Sequence, residues 1–227
     1  MSIATNLQRI NSELPSTVGL VAVSKFHPAS AVLAAYQAGQ RIFGESRPQE
    51  LFQKVSQVPD DVRWHFIGHL QTNKLKFVLP YVELVHSVDS LRLLEAIARY
   101  AEAHQLSVEV LIEVFIAREE TKSGFSIQEA EDLLTSDLVP LCGDRVRIRG
   151  LMGMASLTDD QQQIRSEFRE LTALHHRIGQ HLTTHPSAVL AAFDTLSFGM
   201  SNDYRIAIEE GATLVRIGTD IFGPREY

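Results

Sequence analysis

The sequence predicts an α/β protein in which eight strand-and-helix units close into a parallel (β/α)8 barrel. Eight strand-like apolar runs alternate with helix-like stretches after residue 15, and such alternation implies a parallel sheet because each crossover needs a helix. The length of 227 residues is also close to that of an eight-unit barrel. The rival, an open doubly wound sheet, normally has a Gly-x-Gly-x-x-Gly turn after its first strand, and the sequence has none. No linker-like tract interrupts the chain, so we expect one TIM-type barrel domain over residues 1–227.

An extra helix precedes the first unit, because apolar residues recur at helical spacing from Ile3 to Leu14 and Pro15 ends the pattern. The predicted strands cover residues 18–25, 41–46, 63–68, 84–89, 108–116, 146–154, 195–200 and 213–218. The helices predicted between them cover residues 29–38, 49–58, 72–79, 90–105, 127–135, 159–182 and 202–210. Ser201 is the predicted N-cap of the last helix, and Gly211 is its predicted end.

Composition excludes several functional classes. A net charge of −7 with no basic stripe argues against a nucleic-acid surface. The single Cys142 excludes an internal disulfide framework and suits a reducing compartment. The sequence has neither a signal-peptide pattern nor an apolar run of membrane-spanning length. We therefore expect a cytoplasmic protein without nucleic-acid or membrane partners.

Lys25 is the most informative residue because it closes an apolar strand-like run. A charged amine at the end of a buried strand is costly unless it is paired or loses its proton. A neutral lysine amine is a nucleophile that can form a Schiff base with a carbonyl group. The plainer interpretation is a lysine that extends from the strand end into water.

The active face of a (β/α)8 barrel lies at the carboxyl ends of its strands, so residues at predicted strand ends should converge on one mouth. Besides Lys25, the candidates there are Ser46, His69, Met154, Met200, Ser201, Gly218 and Thr219. Ser201, Gly218 and Thr219 lie in the loops after strands seven and eight, where such barrels commonly bind phosphate. The alternative is that Ser201 only caps a helix and Gly218 only allows a bend.

Arg216 lies within the eighth strand, between apolar residues, where a permanently charged group needs an acceptor. The acceptor could be a carboxylate on another strand, Glu113 or Glu45, or the ring nitrogen of a cofactor. A lysine, a phosphate site and this arginine together suggest pyridoxal phosphate. A Schiff-base aldolase acting on a phosphosugar would also use the lysine and the phosphate site, but it would not specifically need the arginine. His65 and His69 could suggest a metal site, but no further ligand pattern supports one, and His69 is instead expected to border the cofactor.

Seven motifs carry a family resemblance that covers nearly the whole chain. They are Ala-Val-Ser-Lys at 22–25, Phe-Gly-Glu-Ser-Arg at 43–47, and the segments 64–74, 86–89, 120–125, 150–154 and 196–223. With these motifs the sequence resembles the pyridoxal phosphate homeostasis proteins, the YggS-like family related to the amino-terminal barrel of alanine racemase. The resemblance implies a fold-type III barrel that holds pyridoxal 5′-phosphate on Lys25, with its phosphate at Ser201, Gly218 and Thr219 and its ring nitrogen at Arg216.

The resemblance also implies a function, namely vitamin B6 homeostasis and amino-acid and keto-acid balance without robust catalysis. It implies a monomeric or weakly self-associating barrel that exchanges the cofactor, with cofactor-free enzymes as candidate partners. Ser46 departs from the family pattern, which usually has asparagine there, so its contact with the cofactor is an open point. The alternative is a low-activity amino-acid racemase. Racemisation needs a base on each face of the substrate, and in alanine racemases a further β-rich domain supplies the second base.

Overall fold

Eight parallel strands close into a barrel in chain order in this computed structural model, which describes residues 2–118 and 123–224. Strand β1 pairs with β2 on one side and with β8 on the other, which closes the ring. The strands are β1 Gly19–Val23, β2 Ile42–Glu45, β3 Arg63–Phe66, β4 Leu84–Val88, β5 Val108–Glu113, β6 Val146–Met152, β7 Thr195–Ser197 and β8 Leu214–Ile217. The predicted (β/α)8 fold is confirmed.

Helices connect the strands on the outside of the barrel. They are α1 Ile3–Glu13, α2 Ala29–Gln37, α3 Pro48–Val55, α4 Leu91–His104, α5 Ile127–Leu134, α6 Val139–Cys142, α7 Gln161–Thr184, α8 Tyr204–Glu209 and α9 Thr219–Phe222. The extra N-terminal helix is present as α1, which packs against α2 and α9. The segment predicted as a helix at 72–79 is a 3-10 helix, Thr72–Phe77, and the short helices α6 and α9 were not predicted. Among the described residues, the structure has no helix both long and apolar enough to cross a membrane.

The predicted start of the helix over residues 202–210 was wrong. Helix α8 begins at Tyr204 rather than at residue 202, and Asp203 occupies the N-cap position predicted for Ser201. The Asp203 carboxylate accepts a hydrogen bond from the Met200 amide at 2.5 Å. This contact closes a turn over residues 200–203 and keeps Ser201 out of the helix, in the loop at the mouth of the barrel.

Predicted strands were too long at their carboxyl ends, since the apolar pattern continues into the loops. The seventh strand ends at Ser197, three residues before the predicted end at Met200. Gly199 follows with a φ of +93°, and an added Cβ there would lie 2.5 Å from the Ala207 side chain. The chain therefore turns sharply at Gly199 and carries the following residues toward the mouth.

Two layers of side chains fill the molecule. The larger core lies between strands and helices and contains bulky buried residues such as Phe43, Phe66, Phe168 and Phe198. A small second cluster lies inside the barrel and comprises Val21, Leu84, Leu111, Met152 and Leu214. The small apolar cluster leaves space inside the barrel for buried polar side chains, which matter for the site described next.

Candidate functional site

A cavity of about 780 Å³ opens at the carboxyl ends of the strands. Seven of the nine predicted site residues line it: Lys25, Met154, Met200, Ser201, Arg216, Gly218 and Thr219. These residues follow or belong to four different strands, so the barrel brings together side chains that lie up to 194 positions apart in the sequence. The convergence at one mouth that strand counting predicted is present.

Ser46 and His69 do not line this cavity. Ser46 is half-buried after β2, and its backbone packs closely against Gly68, where an added Cβ would lie 2.3 Å from the Ser46 carbonyl oxygen. The His69 side chain is 69% exposed, and its Nδ1 lies 2.9 Å from the Asp89 carboxylate. Contacts of these two residues with a ligand remain predictions.

Lys25 lies two residues after the end of β1 and is half-buried at the cavity wall. The residue after it, Phe26, has a φ of +68°, a left-handed conformation that is uncommon for a bulky side chain. The Phe26 amide donates a hydrogen bond of 2.6 Å to Glu50 Oε1. The backbone on the carboxyl side of Lys25 is therefore held in an unfavourable conformation by a contact with α3.

A buried group of charges that the sequence analysis missed lies behind Lys25. Lys54 is only 4% exposed, and its Nζ donates to the Ser24 carbonyl at 2.9 Å and to the Glu45 and Glu50 carboxylates at 2.7 Å each. The Ser24 hydroxyl also donates to Glu45 at 2.6 Å. Lys54 and Glu50 thus fix the residues on either side of Lys25. The spacing of Glu50 and Lys54, four residues apart on one helix, was the available sequence signal.

Burial raises the pKa of Glu45 in this group to about 7, although the nearby Lys54 ammonium and the Ser24 hydroxyl act in the opposite direction. One carboxylate oxygen, Oε2, is buried without a hydrogen-bond partner among the described residues. Glu45 consequently changes charge near neutral pH, close to the backbone that carries Lys25.

Arg216 points from β8 into the cavity and is 5% exposed. Its Nη1 donates to the Ser197 carbonyl at 2.7 Å and to the Ser197 hydroxyl at 2.6 Å, and its Nη2 donates to the Gly153 carbonyl at 3.1 Å. Within the described part of the chain it forms no ion pair with Glu113 or with Glu45, the carboxylates considered from sequence, and Glu45 is paired with Lys54. Neutral oxygens therefore hold the guanidinium, and burial lowers its pKa to about 10, while Asp203 and Glu113 raise it.

Backbone donors also line the cavity, in the loops after β7 and β8. In the described residues, the amides of Ser201, Asn202 and Thr219 have no hydrogen-bond acceptor, so they can donate to a ligand. An added Cβ at Gly218 would lie 3.2 Å from the Val23 carbonyl oxygen, so glycine allows β8 to approach β1 closely here. Helices α8 and α9 have only six and four residues, so these amides and the two hydroxyls, rather than a helix dipole, favour an anion.

Comparisons with known proteins agree on one fold and one set of relatives. The family model described as alanine racemase, N-terminal domain, matches residues 1–226. The chain is 37% identical over 210 residues to the pyridoxal phosphate homeostasis protein of Aquifex aeolicus, covering 92% of this chain and 87% of the relative.

Solved structures give the same result. PipY of Synechococcus elongatus PCC7942, solved with pyridoxal phosphate bound, superimposes with a TM-score of 0.84 at 35% identity and covers 98% of this chain and 100% of PipY. The same protein without pyridoxal phosphate gives a TM-score of 0.89 at 36% identity, with the same coverage. Alanine racemase from Bartonella henselae shares the fold at 16% identity and a TM-score of 0.70, and this chain covers 60% of it.

Proposed function

Because the chain belongs to the pyridoxal phosphate homeostasis protein family, we propose that its cavity binds pyridoxal 5′-phosphate covalently through Lys25. The observation that carries this proposal is the presence on one cavity wall of Lys25, Arg216 and the Ser201 and Thr219 amides, which have no acceptor in residues 2–118 and 123–224. Its volume of about 780 Å³ is appropriate for a small cofactor.

The residues present fit three functional groups of that cofactor, namely its aldehyde, its phosphate and its ring nitrogen. The Lys25 amine can condense with the aldehyde, forming one C=N bond and releasing one water molecule. The amides and hydroxyls of Ser201 and Thr219 can hold the phosphate. Arg216 has only donors to offer, so it suits a ring nitrogen that carries no proton.

Arg216 is also the reason to propose that the protein holds the cofactor and does not use it for rapid catalysis. Pyridoxal phosphate supplies an electron sink, which is strongest when its ring nitrogen is protonated. A charged guanidinium whose hydrogen-bond acceptors in the described part of the chain are all neutral oxygens opposes a second positive charge beside it. We therefore propose a carrier that supports vitamin B6 homeostasis and amino-acid and keto-acid balance, without robust catalysis.

Release to other proteins requires an accessible mouth. Met154 and Leu157 line the cavity, and both are exposed, Leu157 to 90%. Their exposure supports the part of the proposal in which the cofactor passes between this protein and cofactor-free enzymes. A monomeric state and a cytoplasmic location, which suits the free buried thiol of Cys142, complete the proposal.

Titration of the protein with pyridoxal phosphate, followed by absorption, tests the proposed function. Lys25→Ala is expected to lose the absorption band of the covalently bound cofactor, whereas Lys76→Ala, which removes an exposed lysine, should bind as the wild type does. An unchanged band in Lys25→Ala would refute the proposal.

A racemase is the alternative function, and an assay of the loaded protein with L-alanine and other L-amino acids separates the two. We expect no sustained formation of D-amino acids. Brisk turnover that disappears in Lys25→Ala would favour the racemase.

A further inference from the structure

A row of buried polar side chains crosses the inside of the barrel below the cavity. Arg216 Nη1 lies 2.6 Å from Ser197 Oγ, which lies 2.9 Å from His86 Nδ1. On the other side of that ring, His86 Nε2 lies 2.9 Å from His65 Nδ1. All four side chains are at most 5% exposed, so water does not compete for these contacts.

Two observations set the direction of the hydrogen bonds in this row. Arg216 can only donate, and among the described residues Ser197 Oγ contacts only Arg216 Nη1 and His86 Nδ1. Ser197 Oγ therefore accepts the guanidinium proton, and its own proton goes to His86 Nδ1, the one acceptor within its reach in that part of the chain. His86 then carries its proton on Nε2 and donates it to His65 Nδ1, which leaves the His65 proton on Nε2. A neutral imidazole has one donor and one acceptor nitrogen, so a neutral pair satisfies each of the three contacts between the four side chains.

Both rings are in the neutral state that this arrangement needs. Burial lowers the pKa of His65 to about 4. Burial also lowers the pKa of His86 well below its ordinary value, and the nearby His65 and Arg216 act in the same direction. Protonation of either ring would replace an acceptor nitrogen by a donor and break the row.

We propose that Ser197, His86 and His65 are positioning residues that orient Arg216 toward the ring nitrogen of the cofactor without neutralising its charge. A carboxylate at the position of Ser197 would hold the guanidinium equally well but would compensate its positive charge. A hydroxyl backed by two neutral rings fixes the geometry without forming an ion pair, so the nearest charges of opposite sign remain those of Glu113 and Asp203 on the cavity wall. The part concerning the ring nitrogen rests on the proposed function.

The row also connects the two ends of the barrel. His65 lines a second cavity, of about 160 Å³, at the amino ends of the strands, together with the charged side chains Arg63, Glu83, Glu109 and Arg149. His65 Nε2 has no hydrogen-bond partner among the described residues. The last proton of the row therefore lies at the end of the barrel opposite to the cofactor cavity.

Multiple-bond ¹H–¹⁵N NMR of the cofactor-free protein at pH 6 tests the row directly, with the two rings assigned from His65→Gln and His86→Asn spectra. We expect both rings to be neutral with the proton on Nε2. A proton on Nδ1 of His86, or a charged ring, would overturn the proposal whether or not the protein binds pyridoxal phosphate.

A pair of variants tests the effect on the cofactor. His86→Asn keeps an acceptor near the Ser197 hydroxyl, and His86→Leu removes it. We expect His86→Leu to raise the dissociation constant for pyridoxal phosphate about tenfold and to shift the absorption spectrum of the bound cofactor, and His86→Asn to stay within about threefold of the wild type. His104→Leu, at an exposed position on α4, is the matched control.

Unchanged affinity and spectrum in His86→Leu would overturn the positioning role if borohydride still labels Lys25 in the wild type. Absence of that label in the wild type would instead refute the proposed function. The NMR result would then decide alone whether the hydrogen bonds from Arg216 to His65 run as proposed. If His86→Leu does not fold, the wild-type tautomers alone decide.

Discussion

Replacement of Lys54 by methionine is the most informative perturbation of the site, because this side chain joins three acceptors behind Lys25. The ammonium contacts Ser24, Glu45 and Glu50 at 2.7–2.9 Å and is almost completely buried. Removing one partner of a buried ion pair costs about 3–5 kcal/mol, because the other charge is left unpaired. We expect Lys54→Met to lower the free energy of unfolding by about 3 kcal/mol at pH 8.5, a large part of the stability of a typical domain.

The loss should depend on pH because Glu45 can take up a proton. At pH 6 Glu45 is mostly neutral already, since its pKa is about 7, so less ion-pair energy remains to be lost. The destabilisation should therefore be about 1 kcal/mol smaller at pH 6 than at pH 8.5. The double variant Lys54→Met with Glu45→Gln should recover part of the stability at pH 8.5, because it removes both buried charges.

Urea unfolding at the two pH values measures these differences, and Lys76→Met, at an exposed position on the 3-10 helix, is the control. The release rate of pyridoxal phosphate from each folded variant gives a second measurement, and we expect faster release from Lys54→Met because the backbone beside Lys25 loses its anchor. A loss below about 1 kcal/mol, or an equal loss at both pH values, would refute the role given to this charge cluster.

Three further outcomes are expected. Ser201→Ala should speed cofactor release several-fold in a stopped-flow exchange assay without changing the urea midpoint, and an unchanged rate would mean that the Ser201 hydroxyl does not hold the phosphate. Ionisation of Glu45 opposes folding between pH 4.5 and about 7, because its pKa is raised to about 7 in the folded state. The stability of Glu45→Gln relative to the wild type should therefore increase by up to about 3 kcal/mol as pH rises from 4.5 to 8. Parallel curves of stability against pH for the two proteins would contradict this. Gly68→Ala should lower the melting temperature, since its Cβ would lie 2.3 Å from the Ser46 carbonyl oxygen, and an unchanged melting temperature would show that the backbone adjusts freely.

The fold could be predicted from sequence because alternating strands and helices are local patterns. The carboxyl ends of the strands could not be placed as well, since apolar residues such as Phe198 continue past the last strand pairing at Ser197. The packing of Phe198 against Phe168, a residue of α7, with ring centroids 4.6 Å apart, explains why an apolar residue occurs there without belonging to the strand.

The convergence of residues at the mouth was predictable where counting to a strand end suffices, as for Lys25 and Gly218. It was not predictable where the direction of a side chain depends on the path of a loop, and for this reason His69 lies outside the cavity. The row below Arg216 was also missed, because His86 finds its partners 21 and 111 positions away in the sequence. Such contacts depend on closure of the barrel, and single-sequence patterns carry no sign of it.

Borohydride reduction of the protein loaded with pyridoxal phosphate, followed by peptide mass spectrometry, is the most direct test of the central claim. We expect one reduced cofactor per chain, attached to the peptide that contains Lys25, and no covalent addition in Lys25→Ala. A label on the peptide that contains Lys54 or Lys74, or no label at all, would contradict the assignment of Lys25 as the residue that holds the cofactor.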